Sequence, residues 1–308
     1  CKEKYLNFVF NFRKRRRLML ELYNDISFSA SKLVTGSYST SFSSAVKLLG
    51  RETRLAIYSI YGFVRFADEI VDTFHSFDRK RLLERFERDY YEAVESGISL
   101  NPVLNAFQIT VKKYVIPDDL IQAFLSSMKI DLVKQKHNSR EETEEYIYGS
   151  AEVVGLMCLR VFVRGDEGLY SELEKPARQL GSAFQKVNFL RDIKDDTELL
   201  NRQYFHRTIT NGFNEDVKNE IITEVENEFA DSIPGIIKLP YENRLGVLTA
   251  FLYYTKLLKK IKKTPAKTLL EKRIRVPDPV KLFLRLKAFL LIKTKYSTGK
   301  LMVSNRVL

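Results

Sequence analysis

The 308-residue chain has no tryptophan, two cysteines and three histidines. Two cysteines, Cys1 and Cys158, cannot build a disulfide framework, and Cys158 lies in an apolar run where a reduced, buried thiol is the ordinary outcome. A reducing, cytoplasmic compartment is therefore expected. The histidines, His75, His137 and His206, are scattered and have no cysteine cluster near them, which argues against a zinc site. No stretch approaches the roughly 18 apolar residues that would span a bilayer, the best being Leu245–Tyr254 at about half that length. There is no Walker-type glycine loop with lysine, so nucleotide hydrolysis finds no support. Strand-like alternation is nearly missing, no linker rich in Gly, Ser or Pro divides the middle, and no internal repeat is found.

What is present is charge, unevenly spread. Lys plus Arg number 51 against 39 Asp plus Glu, a net +12 that taken whole suggests nucleic acid. Residues 1–20 hold seven basic groups and one acid, and residues 256–308 hold sixteen basic groups and two acids. The body between them is acidic, so a DNA-binding stripe across it is not expected, and no nucleic-acid partner is assigned. A hydrophobic share of 44% with 29% charged residues is a normal globular balance.

Apolar residues recur at three-and-four spacing, which predicts helices over about 25–35, 39–49, 52–74, 78–95, 102–114, 118–135, 142–163, 169–200, 215–230, 241–262 and 279–296. Breaks are expected at Gly36, Gly50, Gly97 with Pro102, Pro117, Gly165, Gly212, Pro265 and Pro277. The fold class is all-α, with a basic segment over 1–24 and one helical domain over 25–308. Twenty-one Phe and sixteen Tyr supply bulky surface for a large core or an elongated apolar pocket.

Asp-x-x-x-Asp occurs twice, as Asp68…Asp72 and Asp192…Asp196. Four-residue spacing puts both carboxylates of a pair on one helical face, where like charges cost a few tenths of a kcal/mol unless compensated. A single pair could be a solvated helix face. Here Tyr61, Arg65, Asp68 and Asp72 form one stripe, bordered by Ile60, Phe63, Val64, Phe66, Ala67, Ile70 and Val71. Gln185, Asn188, Asp192 and Asp196 form a second, bordered by Phe184, Val187, Phe189, Leu190 and Ile193. A helix apolar around most of its circumference is buried, and carboxylates kept inside must be paired or bound to metal. All-oxygen ligands suit Mg²⁺ (or Mn²⁺), which takes one or two carboxylates and completes its octahedron with water and substrate phosphates. Asp68, Asp72, Asp192 and Asp196 are the candidate metal ligands, and Arg65 and Arg191 beside them suit diphosphate oxygens. An apolar helical box with a metal-bound diphosphate at its mouth suggests a prenyl diphosphate substrate.

These residues resemble the squalene/phytoene synthases of head-to-head isoprenoid coupling, from about Ser27 to about Tyr296. The resemblance is carried by Ser39-Thr-Ser41-Phe42, by Ile60-Tyr-Gly-Phe-Val-Arg-Phe-Ala-Asp-Glu-Ile-Val-Asp72 and by Tyr146-Ile-Tyr-Gly-Ser-Ala-Glu-Val-Val-Gly-Leu-Met157. It continues through Leu180–Asp196, Arg202-Gln-Tyr204, Tyr254 and Arg273-Ile-Arg-Val-Pro277. Glu152 stands where the family usually has a small residue, and His206 where its pattern usually ends in Pro. The resemblance implies an isoprenoid-synthase-type bundle around a central apolar cavity. It implies catalytic roles for the four aspartates with Tyr61 and Arg65. Ser39, Ser41, Phe42, Tyr146, Gln185, Asn188, Arg191, Arg202, Tyr204, Tyr254 and Arg273 would bind substrate.

The reaction implied condenses two geranylgeranyl diphosphates through a cyclopropyl diphosphate to phytoene, as in carotenoid biosynthesis, with Mg²⁺ and without NADPH. The alternative is a squalene or dehydrosqualene synthase using farnesyl diphosphate, and a distant one is a non-catalytic assembly factor of the same fold. In the first stripe the Tyr-Gly-Phe-Val-Arg-Phe-Ala-Asp wording, and near the end Arg-Val-Pro, resemble the phytoene type. Phe42, Tyr61 and Tyr146 offer aromatic faces to a carbocation. The basic ends interleave aromatic and aliphatic residues, Phe8, Phe10 and Phe12 before Arg13-Lys-Arg-Arg-Arg17 and again over 281–295, a pattern that favours anionic membrane surfaces. Peripheral membrane contact is expected.

Overall fold

The computed structural model describes residues 2–134, 138–198, 202–205, 208 and 212–295, and among them every regular element is a helix. In chain order these are α1 (Lys2–Tyr38), α2 (Thr40–Val46), α3 (Arg51–Asp72), α4 (Arg79–Ser96), α5 (Pro102–Tyr114), α6 (Asp118–Val133) and α7 (Arg140–Ile147). A π-helical turn, Tyr148–Glu152, joins α7 to α8 (Val153–Val163), followed by α9 (Glu167–Glu198), α10 (Glu215–Lys238), α11 (Tyr241–Lys262), α12 (Ala266–Glu271) and α13 (Asp278–Lys295).

Local chemistry sets most starts. Ser39, Asp78, Asn101, Ser139 and Asn214 each accept a hydrogen bond from a backbone N–H in the first turn of the helix that follows. Gly97 ends α4 in the left-handed region, at φ 76°. Four boundaries differ from expectation, and the first is the start of α1 at Lys2 instead of near residue 25. Gly36 lies inside α1, where a Cβ would meet nothing nearer than the Ser43 hydroxyl at 4.0 Å, so nothing requires a break. Helix α10 passes through Pro234 to Lys238 instead of ending near 230, and Gly235 there fits against Pro176 of α9 so tightly that a Cβ would sit 2.4 Å from the proline ring. The short α12 falls where a loop was expected.

Two aromatic-rich cores form. In one, Phe63 of α3 stacks on Phe107 of α5 with centroids 4.0 Å apart, and Phe86, Tyr90 and Phe124 surround them. The other joins α9, α10, α11 and α13 through Phe189, Phe229, Phe251 and Leu284. Side chains from both cores line one cavity. Its wall over α7, the π turn and α8 (Arg140–Val163) is, by length and composition alone, apolar enough to cross a membrane, which the expectation of no such run had missed. Only Glu152 and Arg160 interrupt the apolar stretch after Tyr146, and half of it is buried against α6 and α9. Close approach explains its glycines, since a Cβ on Gly149 would sit 2.9 Å from the Ala123 carbonyl oxygen of α6.

Candidate active site

Helix α3 carries Tyr61, Arg65, Asp68 and Asp72 into a cavity of about 540 Å³, and α9 brings Gln185, Asn188, Asp192 and Asp196 into the same cavity. The far side of α3, with Ile60, Phe63, Ala67, Ile70 and Val71, is buried in the first core. Both stripes are thus interior features, as their apolar borders required. Ser39, Phe42, Tyr146, Arg191, Arg202, Tyr204, Tyr254 and Arg273 line the cavity too. Ser41 does not. On α2 the lining face is Phe42, Ala45 and Val46, continued by Leu49, and Ser41 sits about 100° round the helix from Phe42.

The polar end of the cavity alternates acids and arginines. Arg65 pairs with Asp68 at 2.5 Å and with Glu69, and its guanidinium lies 4.3 Å from the centre of the Tyr38 ring. Arg202, 5% exposed, donates from Nη1 to Asp72 at 2.5 Å and to the Tyr204 hydroxyl at 3.2 Å, and from Nη2 to the Asp131 carbonyl oxygen at 3.4 Å. Asp192 receives Arg191 at 2.5 Å and Arg273 at 2.6 Å. Asp196 has no ion pair of its own among the described residues. Burial and then the charges of Asp192 and Asp72 push its carboxyl up to about 8, while burial and then Asp72 push Asp68 up to about 7. The two pairs feel each other across the cavity.

Aromatic rings furnish the walls behind this end. Tyr61 stacks on Phe42 at 5.0 Å, and burial raises its hydroxyl to about 12, keeping it protonated. Tyr204 stacks on Phe189 at 4.0 Å and on Tyr146 at 5.3 Å. Tyr254 stacks on Phe184 at 4.0 Å and donates to the Asn188 side-chain oxygen at 3.3 Å, while the Asn188 amide donates to Gln185 at 3.4 Å. Asn188 therefore also ties α9 to α11, and Gln185 braces it from one turn earlier on α9. Deeper, Met128, Leu159, Phe162, Leu173, Ile236 and Val247 leave the floor without charge.

Sequence reasoning missed Asp131, Glu69 and Tyr38. Asp131 is 8% exposed and accepts a hydrogen bond from the Tyr146 hydroxyl at 2.7 Å, while its other carboxylate oxygen has no hydrogen-bond partner among the described residues. Its signal was there, because Phe124 and Met128 of α6 line the cavity and Asp131 continues their four-three spacing. The departure at Glu152 is resolved locally. Its carboxylate takes Arg178 at 2.6 Å and does not line the cavity, although Ala151 and Val154 beside it do. His206 lies outside the described residues.

The donor set fits a hard divalent cation, being made of carboxylate oxygens alone, with Asp196 outside any ion pair among the described residues. Among the described residues no three His, Cys, Asp or Glu groups converge on one point. The facing pairs therefore do not form a closed cage, and ions held there would complete their shells with water and substrate oxygens.

The model of the squalene/phytoene synthase family matches residues 35–279. The chain is 25% identical over 262 residues to a phytoene synthase of Arthrospira platensis, covering 77% of this chain and 84% of that one. It is 28% identical over 250 residues to a chloroplastic phytoene synthase of an Oncidium hybrid cultivar, covering 73% of this chain and 58% of that protein, so it spans under two-thirds of that relative. Among solved structures, a dehydrosqualene synthase in complex with ligand aligns with TM-score 0.76 at 21% identity, over 88% of this chain and 98% of that one. Squalene synthase HpnC from Alicyclobacillus acidocaldarius aligns with TM-score 0.67 at 20% identity, over 82% and 97%. Fold and family together define an all-α prenyltransferase with the isoprenoid-synthase helical architecture. The chain belongs to the squalene/phytoene synthase family, whose members depend on divalent metal.

Proposed function

We propose that this protein couples two geranylgeranyl diphosphates head to head, through a cyclopropylcarbinyl diphosphate, to phytoene in carotenoid biosynthesis. The observation that carries the reading is the gathering of both aspartate pairs and Arg65, Arg191, Arg202 and Arg273 at one end of a single cavity with an uncharged floor. In this reading Asp68, Asp72, Asp192 and Asp196 hold Mg²⁺, which on binding neutralises charge on the diphosphates. The four arginines receive the departing diphosphate oxygens as the allylic carbon–oxygen bond breaks. Phe42, Tyr61 and Tyr146 present ring faces toward the allylic cation, an attraction of about 2 kcal/mol where water is excluded. The apolar floor takes the prenyl tails and keeps water from quenching the cation. Proton loss, without a reductant, ends the sequence. The chemistry belongs to residues 25–308, and the basic ends, 1–24 among them, bring the protein to a membrane where substrate and product partition.

The test incubates purified protein with Mg²⁺ and either C15 or C20 prenyl diphosphate, with and without NADPH, and identifies the hydrocarbon by mass. A C40 triene-bridged product from the C20 substrate without NADPH is expected. A C30 product formed only from the C15 substrate would replace this reading with the farnesyl-using one, and no hydrocarbon under any condition would reject both.

A further inference from the structure

Helix α13 packs on α11 through Leu284, Ala288 and Ile292, all buried. Its opposite side is apolar as well. Leu282, Phe283, Leu286, Phe289 and Leu290 are each 44–63% exposed. At 100° per residue these five positions occupy about 120° of the circumference, so the solvent side is one continuous stripe. Within it stands Lys293, whose ammonium lies 4.6 Å from the centre of the Phe289 ring. Arg285 borders the stripe on one side and Lys287 on the other. A stripe of this size on a protein surface marks an interaction site.

The charge around the stripe identifies the partner. Lys256, Lys259, Arg285, Lys287 and Lys293 make no ion pair among the described residues. Lys259 of α11 is crowded by Lys287 of α13 and by Lys256, and partial burial together with these neighbours lowers its ammonium from the ordinary lysine value. Like charges concentrated without acids create a positive field that an anionic surface would relieve. The stripe also starts beside the cavity. The Lys281 ammonium donates to the Thr40 hydroxyl at 3.2 Å, next to the cavity-lining Ser39, and Arg273 at the cavity's polar end lies five residues before α13.

We propose that the exposed face of α13 inserts at the headgroup level of an anionic bilayer, with Arg285 and Lys287 reaching lipid phosphates on either side. This names the surface for the membrane contact suggested above and sets it against the cavity entrance. Its purpose rests on the prenyl reading, but its test does not, because no substrate is needed.

The experiment floats the full chain with vesicles of phosphatidylcholine alone and of an equal mixture of phosphatidylcholine and phosphatidylglycerol. Binding to the mixed vesicles and not to the neutral ones is expected. A double variant, Phe283→Glu with Leu286→Glu, should weaken that binding at least about tenfold, and Lys287→Glu by about fivefold. Both should melt like the parent chain, since these side chains touch solvent. Unchanged flotation of the double variant would overturn the proposal, and so would equal binding to neutral vesicles. A marked loss of thermal stability in the double variant would overturn it too, by showing that the face is covered by the chain itself. A dimer in light scattering that the double variant dissolves would assign the face to a second copy instead.

Discussion

The two aspartate stripes share their spacing and differ in their support. On α3, Asp68 is held by an arginine of its own helix, and Asp72 by Arg202, which arrives from a segment 130 residues away and is itself buried among Tyr204 and the Asp131 carbonyl. On α9, Asp192 has two arginines, Arg191 and Arg273, while Asp196 makes no ion pair among the described residues and is raised to about 8 by burial and its acidic neighbours, which Arg202 only partly offsets. The first stripe is built into the core; the second keeps one carboxylate without a direct ion pair among the described residues. Charge left unmatched on one side of a cavity is what a divalent ion would complete.

Breaking either stripe should have the largest effect. Asp72→Asn and Asp192→Asn should each lower hydrocarbon formation by at least about a thousandfold under saturating Mg²⁺, measured as product per enzyme, because each removes a carboxylate that would hold the cation against the departing diphosphate. Near-normal turnover in either variant would contradict the metal assignment. Arg202→Lys tests the support of the first stripe alone. A lysine cannot serve Asp72, Tyr204 and the Asp131 carbonyl together, so kcat should fall by about a hundredfold and stability by about 3 kcal/mol in denaturant unfolding.

A smaller effect should separate the stripes through pH. Asp196 and Asp68 are raised to about 8 and about 7, against a carboxylate's ordinary value near 4. The folded, metal-free protein thus binds more protons than the unfolded chain between these limits, and its stability should fall as pH rises through 7 and 8. Asp68 keeps 33% of its side chain open to the cavity, so water tempers its share and Asp196 should dominate. Melting curves from about pH 6 to about pH 9 should show the decline, and adding Mg²⁺ should reverse it most at the alkaline end. Asp196→Asn should flatten the profile. The smallest effect belongs to Ser41→Ala. Since Ser41 points off the cavity, activity should stay within about twofold of the parent, whereas a hundredfold loss would put its hydroxyl on substrate.

The sequence showed each stripe because a stripe is a property of one helix, and the 3.6-residue period alone brings Tyr61, Arg65, Asp68 and Asp72 into line. Contacts that cross between helices left no such trace. That Arg202 meets Asp72, that Tyr146 bonds Asp131, and that Pro234-Gly235 can continue α10 by seating against Pro176 are outcomes of tertiary packing. Ser41 shows the converse, where a motif match included a neighbour that helix geometry turns aside. Glu152 departs from the family's small residue, and the partner that takes its carboxylate, Arg178, stands 26 residues on, out of reach of a reading by motif.

The π turn at Tyr148–Glu152 has a consequence for how the wall tolerates change in length. It holds one residue more than an α-helix would place in that turn. Upstream of it Tyr146 faces the cavity, and downstream Val154, Gly155, Cys158, Leu159 and Phe162 do so at regular helical spacing. Straightening the turn into continuous α-helix at constant length would rotate everything beyond it by about 100° relative to Tyr146, whereas deleting one residue between 148 and 152 would leave the two flanks in phase. Straightened that way, the chain would keep its composition, its hydrophobicity and every aspartate, yet the two halves of the wall could no longer look into the same space. The helix is phased by its irregularity, and a one-residue insertion there should be more damaging than a one-residue deletion.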